Sequence, residues 1–251
     1  MIEFRSGWTD VQGLRIHELS AASPAGLPVV LLHGLAVSHR YLMPTASRLA
    51  VRRPVVVPDL PGFGRSDRPT GAYDVRRHAE HLAAWLDLRG LGRICLLGHS
   101  FGAEVAARLA VLRPGMVAAL VLAAPTSDPT ARSRTGLVRR FAVDLLVEQP
   151  WQVPVLVRDV ADAKPWRVLR TVGHSAHNAI EADLVRLPVR PLVLGGRLDP
   201  IVPRRWRVQV AALSGGTEVT IGEAAHNVLT TSPRRSAAAI DDHIARLDVP
   251  V

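Results

Sequence analysis

Short apolar runs recur along the chain, separated by longer stretches in which apolar residues return every three or four positions. PVVLLHG (29–32), RPVVVPDLPG (55–57), RICLLGHS (94–97), MVAALVLAAP (117–122) and RPLVLGG (192–194) each contain such a run. Unbroken runs of this length are the mark of strands buried on both faces. TEVTIG adds a last short strand through Val219 and Ile221. Near the start, LRIHEL (14–19) is more mixed and is predicted to be an edge strand, paired with a short one near residues 2–5. Helical spacing covers 41–49, 75–88 (His78, Leu82 and Trp85 on one face) and 101–112 (Val105, Leu109 and Leu112). Pro233 opens a final helix through Ile240 and Ile244 to Leu247, using proline where a helix tolerates it.

Strands alternating with helices predict an α/β fold, a mostly parallel central sheet with helices on both faces. Residues 126–187 break the alternation. They hold several short helical patterns punctuated by Pro150, Pro154 and Pro165, with Leu137, Phe141 and Leu145 along one face of the first. A segment this short buries too little core to stand alone, so it is expected to be a small helical cap inserted in a core made of 1–125 and 188–251. No internal repeat or low-complexity tract is visible.

At 48% hydrophobic residues, composition excludes a disordered or fibrous chain. Cys95 is the one cysteine, which rules out an intrachain disulfide and a Cys-rich metal cluster, and its apolar neighbours mark it as a core side chain. The formal charge is +9, carried by arginine with Lys164 the single lysine. The arginine pairs at 52–53, 76–77, 139–140, 204–205 and 234–235 fall in separate elements. That spread describes a solvated basic surface rather than a nucleic-acid patch, and tilts the protein toward acidic partners. The first residues lack the apolar core of a secretory signal, and no run is long enough to cross a bilayer, so a cytoplasmic protein with no membrane partner is expected.

Two stretches place a serine behind Gly-His: Gly98-His99-Ser100-Phe101-Gly102 and Gly173-His174-Ser175-Ala176-His177. The first fits G-x-S-x-G, follows a strand and opens a helix, which is the context that motif needs. Ser175 has no strand before it and no glycine two residues later, and belongs to the cap segment. His174 and His177 lack nearby carboxylate or thiol ligands, so no metal is expected. A serine hydroxyl needs a base, and the base an orienting group. Asp199 in VLGGRLDPIVP and His226 in IGEAAHNVLT each follow a sheet strand, in the order Ser, Asp, His. Asp128 is the spare acid, and His33 ranks below His226 as base because its turn position suits a hydrogen bond to nearby backbone. The N–H of Phe101, at a helix start, and that of Leu35, in the turn after VVLLHG, are expected to form the oxyanion hole. DLPGFGRSDRP (59–69) lacks both nucleotide-binding fingerprints and reads as a rigid rim loop, so no cofactor is expected.

With VVLLHG, DLPGFGRSDRP, LLGHSFGAEVA, LGGRLDPIVP and GEAAHNV together, the chain resembles the capped branch of the α/β-hydrolase fold superfamily over nearly its whole length. The resemblance implies triad roles for Ser100, Asp199 and His226, oxyanion-hole roles for Leu35 and Phe101, and a helical lid at about 126–187. Epoxide hydrolases and haloalkane dehalogenases are similar through the DLPGFGRSD loop, but that branch uses an aspartate nucleophile where this chain has Ser100. Ala225 stands before His226 in place of the commoner glycine, and HGLAVSHRY lacks the further glycines usual in carbon–carbon bond hydrolases. The expected activity is hydrolysis of a carboxylic ester or thioester, with a small acyl compound as partner and Phe141, Trp151 and Trp166 as apolar walls. Cleavage of a carbon–carbon bond in a diketone-like substrate, acyl transfer to another acceptor, and ligand binding without turnover are the alternatives. Nothing in the sequence demands a homo-oligomer.

Overall fold

The computed structural model describes residues 2–23 and 26–247; positions 1, 24–25 and 248–251 of the expected core segments lie outside them. Eight strands form one sheet: β1 (Arg5–Val11), β2 (Leu14–Ala21), β3 (Val29–Leu32), β4 (Val55–Pro58), β5 (Ile94–His99), β6 (Val117–Ala123), β7 (Leu192–Gly196) and β8 (Thr217–Ile221). Their spatial order is β1-β2-β4-β3-β5-β6-β7-β8. From β4 to β8 all neighbours are parallel, and β2 alone runs against the rest, pairing antiparallel with both β1 and β4.

The helices of the sheet region are α1 (His39–Leu49), α2 (Val75–Arg89), α3 (Phe101–Leu112) and, after β7, α8 (Arg204–Ser214), α9 (Val228–Thr231) and α10 (Pro233–Leu247). Between β6 and β7 lie α4 (Arg134–Val147), α5 (Val153–Ala163), α6 (Pro165–His177) and the short α7 (Glu181–Leu184), with no strand among the described residues of that stretch. The start and stop chemistry is local. Asp74 caps α2 by accepting the Arg77 N–H, and Gly90 ends it at φ 58.

The unbroken apolar runs are explained by two cores, one on each face. Val30, Leu32, Leu96, Leu120 and Leu122 pack with α2, α3 and α8, whereas Val29, Leu31, Cys95, Leu97 and Val121 pack with α1 and α10. Adjacent residues of one strand therefore serve opposite layers. Each fully buried leucine or valine contributes roughly 1.5–3 kcal/mol before the entropy of ordering is subtracted.

The N-terminal pairing differs from the sequence expectation. β2 is an inner strand, bonded to β4 from Glu18↔Pro58 to Ala21↔Val55, and the edge is β1, which spans Arg5–Val11 instead of 2–5. Gln12 and Gly13, at φ 52 and 80, make the two-residue turn that fixes their register. The edge strand is largely polar and solvated, so its hydrophobic signal is weak. Two arginines also depart from the expected solvated surface. Arg207 is fully buried, bonded to the Val202 carbonyl, Thr220 and Glu218. Arg167 is buried against the rim loop and donates to the carbonyls of Pro69 and Gly71.

β5 and α3 approach so closely that a Cβ on Gly98 would lie 2.1 Å from the Gly102 carbonyl oxygen, and one on Gly102 would lie 2.5 Å from that of His33. Backbone on both sides cannot yield cheaply. Gly98→Ala is therefore expected to destabilise the protein by about 3 kcal/mol or more in urea unfolding, and a loss under about 1 kcal/mol would show that strand and helix separate freely.

Candidate active site

Ser100 occupies the turn between β5 and α3 with φ 55 and ψ −122, a left-handed conformation rare for a residue with a side chain. Its Oγ lies 2.9 Å from Nε2 of His226, whose Nδ1 lies 3.0 Å from Oδ2 of Asp199. All three residues are buried. Asp199 follows β7, and its Oδ1 accepts the N–H groups of Ile201 and Val202, both at 2.8 Å, which fixes the carboxylate. Burial alone would raise the Asp199 pKa, but His226 and these two N–H donors hold it below the usual carboxylate range. Burial likewise disfavours a charged His226, yet Asp199 at contact, with Asp144 and Glu148 beyond it, lifts the imidazole to about 9.

The turn after β3 closes the other side of Ser100. A Cβ on Gly34 would lie 3.1 Å from Cβ of Ser100, so the Gly34-Leu35 backbone passes directly beside the serine. Phe101 begins α3, where helix N–H groups are unpaired within the helix. His33 makes backbone contacts as expected: its Nε2 accepts the Leu60 N–H, so its Nδ1–H donates to the Gly34 carbonyl at 2.8 Å. Burial lowers its pKa, and both its ring nitrogens are taken up by these backbone bonds. Asp128 is committed elsewhere, to Thr130, Arg140 and Arg205. Ser175 lies inside α6 and donates its hydroxyl to Glu104. His177 Nδ1 donates to the Gly173 carbonyl one turn back.

Several structural partners were not visible in the sequence. His99 Nε2–H donates to the His226 carbonyl at 2.9 Å, so its Nδ1 must accept from the Tyr41 hydroxyl at 2.5 Å. The same hydroxyl accepts the Gly34 N–H at 2.9 Å. Burial pulls His99 down to about 3, which keeps it neutral, and the His226 carbonyl, which can only accept, sets that tautomer. This relay links the turn after β3, the residue before Ser100 and the backbone of His226. The GHS triplet was its only trace in the sequence. In the rim loop, buried Asp59 accepts from the Nδ1 atoms of His17 and His39 at 2.9 and 2.8 Å. Burial would raise its pKa, but those imidazoles hold it far below the carboxylate range. Among the described residues these three side chains alone have a metal-binding arrangement, and their donor atoms are already spent on one another.

A cavity of about 450 Å³ opens above Ser100 and His226. Leu35 lines it from the sheet side, and Phe141, Leu145, Trp151, Val153 and Leu156 from the insertion. Trp166, an expected wall, is instead half exposed with the Arg167 guanidinium 4.7 Å above its ring. It stands at the start of α6, outside the residues that line the opening.

A parallel sheet with a strained serine turn at its C-terminal edge, and an imidazole and a carboxylate arriving from later strands, defines the α/β-hydrolase class. The chain belongs to the alpha/beta hydrolase fold family, whose sequence model matches residues 28–161. It is similar to a 2-hydroxymuconate semialdehyde hydrolase of Pseudomonas sp. (strain CF600), 28% identical over 90% of this chain and 89% of that protein. A haloalkane dehalogenase of Mycobacterium marinum is 36% identical over 51% of this chain, a match spanning only 43% of the dehalogenase's own length. A thermophilic esterase from Thermogutta terrifontis superposes with a TM-score of 0.80 at 25% identity, covering 98% of this chain and all of that one. Among the described residues no helix is long and apolar enough to cross a membrane.

Glu104, one turn past Ser100 on α3, is buried and accepts from Thr126, Ser175 and Asn178. Burial outweighs these donors and pushes its carboxyl from 4.5 up to about 7. The folded chain thus holds this proton more tightly than the unfolded one, so stability falls as pH rises from about 4.5 through about 7. Relative to Glu104→Gln, wild type is expected to lose up to about 3 kcal/mol of urea-unfolding free energy between pH 5 and 8. A difference that stays flat across that range would refute the assignment.

Proposed function

We propose that the protein is a serine hydrolase that cleaves a carboxylic ester or thioester through an acyl-enzyme. The observation that carries this reading is the buried hydrogen-bonded chain from Ser100 Oγ through His226 to Asp199, at 2.9 and 3.0 Å. His226 takes the Ser100 proton as the oxygen attacks the acyl carbon, while Asp199 fixes the imidazole tautomer and stabilises its charged form. The N–H groups of Leu35 and Phe101 meet the developing oxyanion, each worth about 3 kcal/mol in such a role. His226 then returns the proton to the leaving alcohol or thiol, and water repeats the sequence to release the acid. No cofactor or metal enters these steps. Residues 126–187 act as a cap whose apolar side chains hold the acyl chain.

Carbon–carbon bond cleavage of a diketone-like substrate is the second reading. The match to a 2-hydroxymuconate semialdehyde hydrolase along nearly all of the chain favours it. The ester reading is preferred because the cavity wall is mainly apolar, and its one arginine, Arg40, is bonded to Asp159 and Asp162.

A fluorophosphonate probe is expected to add its mass to wild type and not to Ser100→Ala. Ester turnover is expected to fall about 10⁴-fold or more in Ser100→Ala, and about 10⁴-fold in Asp199→Asn. A panel of short and long acyl esters, acyl thioesters and a ring-cleavage diketone separates the readings: turnover of the diketone alone selects the second, and absence of labelling rejects both. The base must be neutral to act, so kcat/KM should rise with pH about tenfold per unit and level off above about 9. In Asp199→Asn the midpoint should move down toward 6.5, as read from initial rates between pH 6 and 10. A wild-type midpoint near 6.5 would mean that the surrounding carboxylates do not act on His226.

A further inference from the structure

The insertion is apolar where it meets solvent. Ten of the eighteen large apolar side chains exposed among the described residues fall within 138–169, and the other eight are scattered singly along the rest of the chain. On α4 two apolar faces lie side by side. Val138, Phe141 and Leu145 line the cavity, whereas Val143, Leu146 and Val147 stand outside it and are exposed, Leu146 at 84%. On α5, Val153 and Leu156 line the cavity, and Val157, 62% exposed, stands outside. Leu145, Trp151 and Val153 both line the cavity and are about half exposed, so the outer apolar surface runs into the cavity mouth. Single exposed apolar residues need no explanation, but a cluster of this kind marks a site that meets another apolar surface. Charge says which. Arg139 on α4 and Arg158 on α5 are exposed and have no partner among the described residues, and the same holds for Lys164 and Arg170 farther along. The carboxylates of α4 and α5 are engaged elsewhere: Asp144 is buried beside His226, Glu148 accepts the Asn227 N–H, and Asp159 and Asp162 hold Arg40. The free charge of this apolar surface is therefore positive, in line with the +9 of the whole chain.

We propose that the outer faces of α4 and α5 form a docking surface for an anionic phospholipid bilayer, with the cavity mouth set against the lipid. Val143, Leu146, Val147 and Val157 enter the boundary between headgroups and acyl chains, while Arg139 and Arg158 meet the phosphates. Trp151 suits the same depth, with an apolar ring and an indole N–H that donates to the Gln149 side chain at 2.6 Å. A second protein seated over Leu145, Trp151 and Val153 would close the cavity, whereas a fluid lipid surface covers the same apolar area and lets acyl chains enter. The absence of a spanning helix among the described residues does not bear on a surface that lies on the bilayer. Docking does not depend on the ester-hydrolase reading; use of the bilayer as a source of acyl substrate does.

Co-sedimentation with sucrose-loaded vesicles tests this on the wild-type protein and needs no turnover. Vesicles of phosphatidylglycerol and phosphatidylcholine in equal parts are expected to bind it at least about 10-fold more tightly than phosphatidylcholine alone, and added salt should erase that difference. Leu146→Ser should lower affinity for the anionic vesicles about 10-fold. Arg139→Gln and Arg158→Gln together should lower it about 20-fold. All three side chains are exposed, so these variants are expected to fold as wild type does, as circular dichroism would show. No binding to anionic vesicles, equal binding to the two compositions, or undiminished binding in either folded variant would overturn the docking surface. So would a wild-type dimer in sedimentation equilibrium that Leu146→Ser dissociates, since the patch would then serve a second copy of the chain. Vesicle binding by a protein that turns over no ester leaves the surface standing and removes the ester reading; ester turnover without vesicle binding does the reverse.

Discussion

The turn at Ser100 is the constraint on which the site depends. Holding a residue with a side chain at φ 55 costs roughly 1–3 kcal/mol, and persists only where the surroundings leave no alternative. Here the surroundings are backbone: β5 and α3 come together at Gly98 and Gly102 with no room for a Cβ on either. The result is a hydroxyl lifted from the sheet edge beside unpaired helix N–H groups. Because β7 and β8 run parallel to β5 through β6, their following loops emerge at that same edge. Parallel strand direction is what lets Ser100 meet a histidine 126 positions away.

This logic also explains which features were legible in the sequence. The inner strands were readable because burial on two faces leaves an unbroken apolar run, and Ser100 was separable from Ser175 because only one of them follows such a run. Asp199 and His226 were readable because each comes shortly after a strand. β1 was only partly readable, since a solvated edge strand such as RSGWTDV has little hydrophobic pattern. Tyr41, His99, Glu104 and Asp144 were invisible as site residues. What matters about them is which atoms stay unpaired and which neighbours lie dozens of positions away, as Tyr41 and His99 do at a separation of 58. The two tryptophans of the insertion illustrate the same limit: Trp151, in the short turn between α4 and α5, lines the cavity and Trp166, at the start of α6, does not, and the sequence does not locate the cavity.

The insertion is held both by apolar anchors, Ala163, Ile180 and Leu184 buried in the main core, and by directional polar contacts. Its own apolar cluster is small, centred on Leu137, Val172 and Ala176. Around it, Ser175 and Asn178 bond Glu104, Arg167 bonds the rim loop, Asp159 bonds Ser38 and Arg40, and Arg140 bonds the Ile201 carbonyl. Apolar packing alone tolerates sliding, whereas hydrogen bonds buried away from water fix one orientation. They set where α4 crosses the cavity, and hence where Asp144 and Glu148 face His226.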